Sequence, residues 1–354
     1  MTDVTPYLPL SAPRKGLGKT RVVGRRVCAL MLSRIAESLY WMSRYLERAD
    51  NTARLMEINL LYLVEAEEHL TEAVQWRPLV SISGSEAAFA QYYDGAEITA
   101  QHVIQFMTKG PANPNAIHPS LRLARENARA VRDRISKEMW QAMNELWWMV
   151  DTRLKSPLLP ERAAAFYASV RDEVARFHGL TSSTMMRGEA YGFHSLGTFV
   201  ERADMTARIL DVKYHILLPD AAMVGSPLDY YQWAALLKSL SGFEAYRRKY
   251  HTGMRPIDVA QHAIFERDFP RSLQFAADRI QRALEMIGAP AAESQSRVAV
   301  GRLLAHLAHH SAESVMRAGL HEFLQAFLRC VGALNAALQA DYFAAHFGAE
   351  LCAM

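Results

Sequence analysis

One octapeptide occurs twice in this chain of 354 residues, at two places 154 positions apart. Residues 47–54 read Glu-Arg-Ala-Asp-Asn-Thr-Ala-Arg, and residues 201–208 differ only by a methionine in place of the asparagine. Weaker matches follow at slightly larger offsets, such as Trp76 with Trp233. Two copies of about 155 residues are too long for solenoid repeats, so we expect one pseudo-symmetric body built from a tandem duplication.

Each octapeptide lies within a long helical pattern. In the first copy the spacing of apolar residues alternates between four and three, at Ile35, Leu39, Met42, Leu46, Ala49, Ala53, Met56, Leu60 and Leu63. This seam predicts a helix of about eight turns. The second copy repeats the pattern from Leu196 to Leu217. Alanines occupy the middle of both seams, which favours close approach of another helix.

Composition and the positions of glycine and proline extend the helical prediction to the whole chain. Half of the residues are apolar and 22% are charged, as in ordinary globular proteins, and alternating strand patterns are absent from the sequence. We predict further helices over 73–92 (broken near Gly84), 96–108, from Pro119 to about 150, 161–178, 229–251, 257–266, 270–288, 297–317 and 320–346. The predicted fold is an all-α bundle, with repeat one at about 31–185 and repeat two at about 186–346.

The first 30 residues differ from the rest of the chain. They contain six basic side chains and one acidic one, together with three prolines, and they show no apolar periodicity. We expect residues 1–30 to be a disordered basic extension, or to precede a true start at Met31. Three cysteines without a Cys-x-x-Cys motif suit a reducing cytoplasm, and no apolar run is long enough for a membrane span.

The octapeptide places charges along one stripe of each helix. Glu47, Asp50 and Arg54 are spaced i, i+3 and i+7, and the Asp50–Arg54 order favours an ion pair. Arg44 is within reach of Glu47 on the same helix. If the two copies pack about a pseudo-twofold axis, the two stripes meet near the centre of the protein.

Two interpretations of these stripes stay open. They form either a salt-bridge network that fixes the helix register, or a polar pocket in which arginines hold an anionic group and Glu47 or Glu201 acts as an acid or ligand. If one copy is active, the first is the better candidate, because Met205 replaces Asn51 in the second. The candidate residues are Glu47, Arg48, Asp50, Asn51, Arg54, Glu201, Arg202, Asp204 and Arg208.

A second charged stripe consists of four arginines at helical spacing, Arg122, Arg125, Arg129 and Arg132. The four arginines form either a solvated face that pairs with Glu126 and Asp133, or a site that recognises phosphate or carboxylate. The solvated face is the favoured interpretation. We expect no nucleic-acid binding, because residues 31–354 carry 34 basic and 36 acidic side chains.

The sequence offers little support for a metal or cofactor. The octapeptide spacing is Glu-x-x-Asp without histidine, which does not fit a di-metal carboxylate bundle. His306, His310 and Glu313 have a spacing that can bind zinc, but the glutamate that follows the first histidine in zinc proteases is absent. We expect no bound metal and no cofactor, and neither a phosphate-binding glycine loop nor a nucleophile motif is present.

Residues 31–54, MLSRIAESLYWMSRYLERADNTAR, resemble the start of bacterial alpha-E domain proteins. Further resemblance lies at 113–115 (Asn-Pro-Asn), at 124–133, at Trp140 and Asn144, at 269–272 and at 319–324. The family is named for a Glu-Arg motif on a helix, which corresponds to Glu47-Arg48 here and to Glu201-Arg202 in the second copy.

The resemblance implies one all-helical domain over 31–346 and a start near Met31. Members of this family are typically encoded beside, or fused to, a circularly permuted ATP-grasp protein and a transglutaminase-like protease, which implies a role in peptide ligation or peptide modification. We therefore expect a non-catalytic helical partner that docks the ligase or presents its peptide substrate. The alternative is an enzyme or ligand-binding domain whose Glu/Arg pocket acts on a peptide or amide, and a ferritin-like metal oxidase is disfavoured.

Overall fold

The computed structural model describes residues 31, 33–66, 72–216, 227–251, 253–288 and 294–343, and these form fifteen α-helices and no strand. The predicted all-α class is therefore confirmed. The predicted extension at 1–30 lies outside the described residues. The helices are α1 Ser33–Ala66, α2 Glu72–Ile82, α3 Glu86–Tyr92, α4 Ala100–Thr108, α5 Ile117–Ala130, α6 Lys137–Arg153, α7 Pro160–Thr184, α8 Glu189–Ile216, α9 Pro227–Ser239, α10 Phe243–Lys249, α11 Pro256–Ala260, α12 Leu273–Ile287, α13 Gln295–Ala308, α14 Ala312–Ala318 and α15 Leu320–Leu338, with π-helical turns at Gln261–Phe265 and Gln339–Phe343.

The two long helices α1 and α8 contain the octapeptides and pack against each other. Helix α1 also packs on α5 and α7, while α8 packs on α12 and α15. The predicted seam of α1 is its buried face, where Leu39, Leu46 and Ala53 are fully shielded from solvent. The apolar periodicity therefore identified both the helix and the side that faces the core.

Close approach of α1 and α8 is marked by Gly197. A Cβ placed on this glycine would overlap the backbone oxygen of Tyr40 and lie 3.1 Å from Cβ of Ser43. The seam alanines Ala49 and Ala203 are fully buried, as expected of small residues in a helix contact. The apolar pattern indicates the alanines as the close contact, whereas the closest approach in the structure is at Gly197.

Three predicted helix boundaries are wrong for one shared reason. The helix predicted from Pro119 to about 150 is two helices, because the Ser136 hydroxyl accepts from the Met139 amide at 3.1 Å and caps α6. The segment predicted at 297–317 also divides, where Ser311 caps α14. The helix predicted at 270–288 begins instead at Leu273, with Ser272 as its cap. Side-chain caps satisfy the first amides of a helix and so set boundaries that apolar periodicity does not reveal.

The other predicted segments overlap observed helices, although 229–251 is two helices rather than the one predicted, and α7 extends to Thr184 rather than ending at 178. The segment 73–92 is interrupted at Gly84, which has a φ of 65° and separates α2 from α3. The segment 229–251 is divided in the same way at residues 240–242, between α9 and α10. In the described residues all these helices share one apolar core that extends from α1 to α15. The octapeptides lie inside it, so Glu47, Asp50, Arg54 and Glu201 are buried, while Arg48, Arg202, Asp204 and Arg208 are partly buried.

Candidate functional site

The two Glu-Arg motifs face each other across the contact between α1 and α8. The Glu47 side chain is completely buried and accepts two hydrogen bonds from Arg202, from Nε to Oε1 at 2.8 Å and from Nη2 to Oε2 at 2.9 Å. This parallel, bidentate arrangement is the strongest geometry available to an arginine and a carboxylate.

The second pair is the reciprocal of the first. Arg48 donates from Nε to Oε1 of Glu201 at 2.6 Å and from Nη2 to Oε2 at 3.1 Å. Each motif therefore supplies the glutamate of one pair and the arginine of the other. The two charged stripes do come together in space, and they do so by exchanging partners between the two helices.

Each glutamate is also bound by a second arginine. Arg271 donates from Nη1 to Oε1 of Glu47 at 3.1 Å. Arg44 donates from Nε to Oε2 of Glu201 at 2.7 Å, so the expectation that it reaches Glu47 is wrong. Helix-internal spacing suggested Glu47, whereas the neighbouring helix α8 brings Glu201 closer. Arg271 was missed as a site residue, although residues 269–272 belong to the segments that carry the family resemblance.

We define the closed cluster as Glu47, Asp50, Asn51, Arg54, Arg202 and Arg271. Asp50 forms the predicted ion pair with Arg54 and also accepts from Nη2 of Arg271 at 2.8 Å. The Asn51 amide oxygen accepts from Nη1 of Arg271 at 2.8 Å, and Arg54 donates to the Ser241 hydroxyl. Five of these residues come from the octapeptides, and all six belong to one hydrogen-bonded network.

The closed cluster holds three arginines and two carboxylates, a surplus of one positive charge. Burial by itself raises the pKa of Glu47, but Arg202 and Arg271 outweigh it and hold that pKa well below its usual range. The same balance lowers the pKa of Asp50, where Arg54 and Arg271 outweigh burial. Burial and the nearby charge of Arg54 lower the pKa of Arg271 to about 10. Both acids are therefore ionised at neutral pH.

Two histidines and a serine lie next to the closed cluster. Nε2 of His178 is 3.4 Å from Oε2 of Glu47, and Nδ1 of His194 is 2.6 Å from the Ser43 hydroxyl. Burial lowers the pKa of His194 to about 3, and His178 adds to this effect. Although a serine beside a histidine can act as a nucleophile, Ser43 is fully buried and donates to the Leu39 carbonyl. We assign this pair to packing.

The other side of the network opens to a cavity of about 410 Å³, which we call the open cavity. Its charged wall consists of two acids and three arginines, Glu201, Asp204, Arg44, Arg48 and Arg208. The remaining wall is provided by Thr52, Leu55, Ile82, Ser83, Gly84, Met107, Asn115, Met205, Leu328, Gly332 and Asn335. The cavity therefore combines a predominantly polar lining with five apolar side chains, from Leu55, Ile82, Met107, Met205 and Leu328.

The open cavity contains charges that are more exposed than those of the closed cluster. Asp204 accepts from Nε of Arg208 at 2.7 Å, and 38% of the Arg208 side chain is exposed. Burial raises the pKa of Glu201, but Arg44 and Arg48 outweigh it and lower that pKa. Three arginines again face two carboxylates, and here the surplus positive charge faces accessible space.

The two sides differ at two positions that contact the motifs. Asn115 accepts from Nη1 of Arg48 at 2.8 Å, whereas Arg271 binds Glu47 on the other side. Asn51 of the first octapeptide binds Arg271, while Met205 of the second octapeptide lines the open cavity. The cavity is therefore located beside the glutamate of the second copy and the arginine of the first.

The arginine stripe lies apart from this network, with Arg122, Arg125 and Arg129 on α5 and Arg132 in the turn after it. Nη2 of Arg129 is 2.6 Å from Oε2 of Glu126, and Nη1 of Arg125 is 3.8 Å from Oε1 of the same residue. Arg132 lies over the Trp140 ring, and Asp133 pairs with Arg134 rather than with the stripe. Arg122 is exposed.

Within the described part of the chain, no group of three or more His, Cys, Asp or Glu side chains could hold a metal ion. Nε2 of His306 lies 3.2 Å from the Phe323 carbonyl oxygen, and the two rings stack. None of the helices in these described ranges has the length and apolar character needed to cross a membrane.

Comparison of the chain with known proteins identifies a family that it matches. A family named Alpha-E, described as a predicted alpha-helical domain with a conserved ER motif, matches residues 31–343. Uncharacterized proteins of Mycobacterium bovis (strain AF2122/97) and Mycobacterium tuberculosis (strains CDC 1551 and H37Rv) are each 24% identical over 291 residues, covering 77% of this chain and 32% of the relative. The chain thus spans about a third of the length of these relatives. No solved structure matches.

Proposed function

This chain belongs to the Alpha-E family, and we propose that it is a non-catalytic helical accessory protein of a cytoplasmic peptide-ligation or peptide-modification system. In this proposal it docks a circularly permuted ATP-grasp protein, acts together with a transglutaminase-like protein, and presents the peptide substrate. These partners rest on the resemblance of residues 31–54 to alpha-E proteins.

One observation carries the non-catalytic part of the proposal, namely that both motif glutamates are already neutralised. Glu47 is bound by Arg202 and Arg271, and Glu201 by Arg48 and Arg44. A general acid near neutral pH needs a raised pKa, whereas these arginines lower the pKa of both carboxyl groups. The motif is better suited to locking α1 against α8 than to proton transfer.

We also propose that residues 31–346 form one domain made of two tandem repeats, with the boundary near residue 185. The partner exchange between Glu47–Arg202 and Glu201–Arg48 supports this, because a pseudo-twofold axis between α1 and α8 would generate both pairs. A second relation supports it as well. Asn115 and Arg271, which contact the motifs, each stand two residues before the first residue of a helix, α5 and α12 respectively.

The alternative function, an enzyme acting on a peptide or amide, is favoured by the open cavity. Glu201 and Arg48 both line it, so a bound substrate would lie beside the motif. The two functions predict different behaviour of the isolated protein. An accessory protein forms no product alone and increases product formation by its ATP-grasp partner, whereas an enzyme turns over by itself.

The test is co-expression with the ATP-grasp protein, followed by co-purification and measurement of peptide ligation. We expect a stable complex, no product from this chain alone, and a faster reaction in the complex. Glu201→Gln keeps the shape of the side chain and removes its charge. If the accessory function is correct, Glu201→Gln should reduce the amount of complex only in proportion to the stability that the protein loses. The ligation rate per mole of complex should be unchanged.

The matched control is Arg129→Gln, on an exposed face with its own ion pair to Glu126. Circular dichroism establishes that each variant is helical. Product formed by the chain alone, or a rate per complex that falls by about 100-fold or more in Glu201→Gln, would assign catalysis to this site instead.

A further inference from the structure

We propose that the open cavity binds a small organic monocarboxylate that carries an apolar group. This inference concerns the chain by itself and does not depend on the partners proposed above. The volume of the open cavity, about 410 Å³, lies within the usual range of small-molecule sites.

The charge of the wall defines the anion. Arg44, Arg48 and Arg208 face two carboxylates, and the pKa of Glu201 is lowered, so that acid is ionised. One further negative charge neutralises the wall. A monocarboxylate supplies this charge, whereas a phosphate monoester brings nearly two charges at pH 7 and would leave an excess of negative charge.

The hydrogen bonds of two arginines in the cavity wall leave one nitrogen of each without an acceptor among the described residues. Arg44 donates from Nε to Glu201 and from Nη1 to Tyr40 and Asn335, and its Nη2 has no acceptor among the described residues. Arg208 uses Nε and Nη2 for Asp204 and leaves Nη1 without an acceptor within the same described ranges. Planar guanidinium groups with unused donors are suited to a carboxylate.

These two donors differ in their surroundings. The Arg44 side chain is 8% exposed and its guanidinium is fixed by three other contacts, so little entropy is lost when it binds an anion. The Nη1 atom of Arg208 lies 3.6 Å from the position of a Cβ on Gly84, at the rim where the chain turns between α2 and α3. One donor is therefore rigid and buried, and the other can adjust to the ligand.

The apolar residues of the cavity determine the rest of the ligand. Five apolar side chains contribute to its lining, from Leu55, Ile82, Met107, Met205 and Leu328. Burial of an aliphatic group there contributes about 25 cal/mol per Å² of apolar area removed from water. The ligand class is therefore an amphipathic carboxylate, such as an acylated apolar amino acid.

Gly332 offers a way to close the cavity without changing its charge. It lines the cavity from the interior of α15, and a Cβ placed on it meets no atom within 4 Å. Gly332→Leu therefore extends a side chain into the space that the ligand would occupy. Gly301→Leu is the matched control, because Gly301 lies inside α13, is also unobstructed, and is absent from the cavity wall.

The experiment is isothermal titration of the full chain with N-acetyl-L-leucine, with N-acetyl-L-leucinamide as the uncharged probe. We expect the acid to bind at least about tenfold more tightly than the amide, since only the acid supplies the missing charge. Gly332→Leu should lose at least about tenfold in affinity while Gly301→Leu retains it. Arg208→Gln should weaken binding of the acid by a similar factor, and Arg129→Gln should not.

Inorganic phosphate is titrated as a competing anion. Circular dichroism and thermal denaturation establish that both glycine variants are folded before their affinities are compared. Equal binding of acid and amide, tighter binding of phosphate than of the acid, no heat of binding at millimolar concentration, or unchanged affinity in folded Gly332→Leu would each overturn the proposal. Failure of the ATP-grasp complex to form would leave these titrations unaffected.

Discussion

Glu47 and Arg202 form a bidentate ion pair although they are 155 positions apart in the chain. Its reciprocal joins Glu201 to Arg48, 153 positions apart. The Glu-Arg motif is therefore a single interhelical unit that requires both copies, because neither copy pairs its own glutamate with its own arginine. Each copy therefore depends on the other for the ion-pair partner of its glutamate.

Removal of the Glu47 charge should be the most destabilising change in the network. Glu47→Gln leaves Arg202 and Arg271, whose side chains are each 13% exposed, without the fully buried carboxylate that they share. Breaking a buried ion pair on one side typically costs about 3–5 kcal/mol in the free energy of unfolding. Urea denaturation monitored by circular dichroism measures this loss.

Glu201→Gln is the matched comparison within the same motif. Its arginine partners line the open cavity, where water reaches the guanidinium groups once the carboxylate charge is gone. We expect the loss of unfolding free energy to be smaller than for Glu47→Gln by about 1 kcal/mol or more. Equal losses in the two variants would contradict the distinction between a closed and an open side.

Arg271→Gln should destabilise the protein less than Glu47→Gln does. The closed cluster carries one surplus positive charge, so Arg271→Gln makes it neutral while Glu47→Gln doubles the surplus. Burial and Arg54 already lower the pKa of Arg271 to about 10, which indicates that its charge is costly at this position. We expect a loss of about 1–3 kcal/mol from its hydrogen bonds to charged groups.

Urea denaturation of both variants at pH 7 provides the comparison. A loss in Arg271→Gln that equals or exceeds the loss in Glu47→Gln would show that the positive charges of the cluster are not in excess.

Much of the fold follows from periodicity alone. The alternating seam from Ile35 to Leu63 identified α1, and the Gly84 signal located the break between α2 and α3. The division of the predicted helix at 119–150 did not follow from the pattern, because it depends on one hydrogen bond of Ser136 that competes with helix continuation. Local capping chemistry is too short in range to appear in an apolar pattern.

The site was predicted as a set of residues and not as a set of pairs. Spacing within one helix correctly gave the Asp50–Arg54 pair. It gave the wrong partner for Arg44 and no indication of Arg271, which lies 224 positions from Glu47. Partners on different helices depend on the angle and register at which the helices cross, and a single sequence does not contain these quantities.

Gly197→Ala should destabilise the protein through the contact between α1 and α8. The added Cβ would overlap the backbone oxygen of Tyr40, and the backbone of a buried helix has little freedom to move. Overpacking of this kind costs about 1–3 kcal/mol or more, which outweighs the gain in helix propensity from alanine. Thermal denaturation should show a lower Tm.

The control is Gly179→Ala in α7, where a Cβ meets no atom within 4 Å. There the change from glycine should stabilise the protein by about 0.5–1 kcal/mol. A Gly197→Ala variant as stable as the wild type would mean that α1 and α8 do not approach as closely as described.

Lowering the pH should reduce the free energy of unfolding before the carboxylates of the network are protonated. His262 is one cause of this reduction. This side chain is buried against Phe269, and burial lowers its pKa from 6.5 to about 4. The unfolded chain therefore binds more protons than the folded one between these values. The contribution of His262 to stability is complete above pH 6.5 and is lost as the pH falls toward 4, by at most about 1.4 kcal/mol per pH unit.

His262→Leu should flatten the dependence of unfolding free energy on pH between 6.5 and 4, because leucine fills similar space and binds no proton. Urea denaturation at half-unit steps of pH measures the slope. His251→Leu, at an exposed histidine, is the control for the replacement of a histidine by leucine. Below pH 4 the variant should still lose stability steeply. The lowered pKa values of Glu47, Asp50 and Glu201 mean that the stability from their ion pairs is present above their unfolded pKa values and is lost as they are protonated. An unchanged slope in His262→Leu would show that this histidine is protonated in the folded protein.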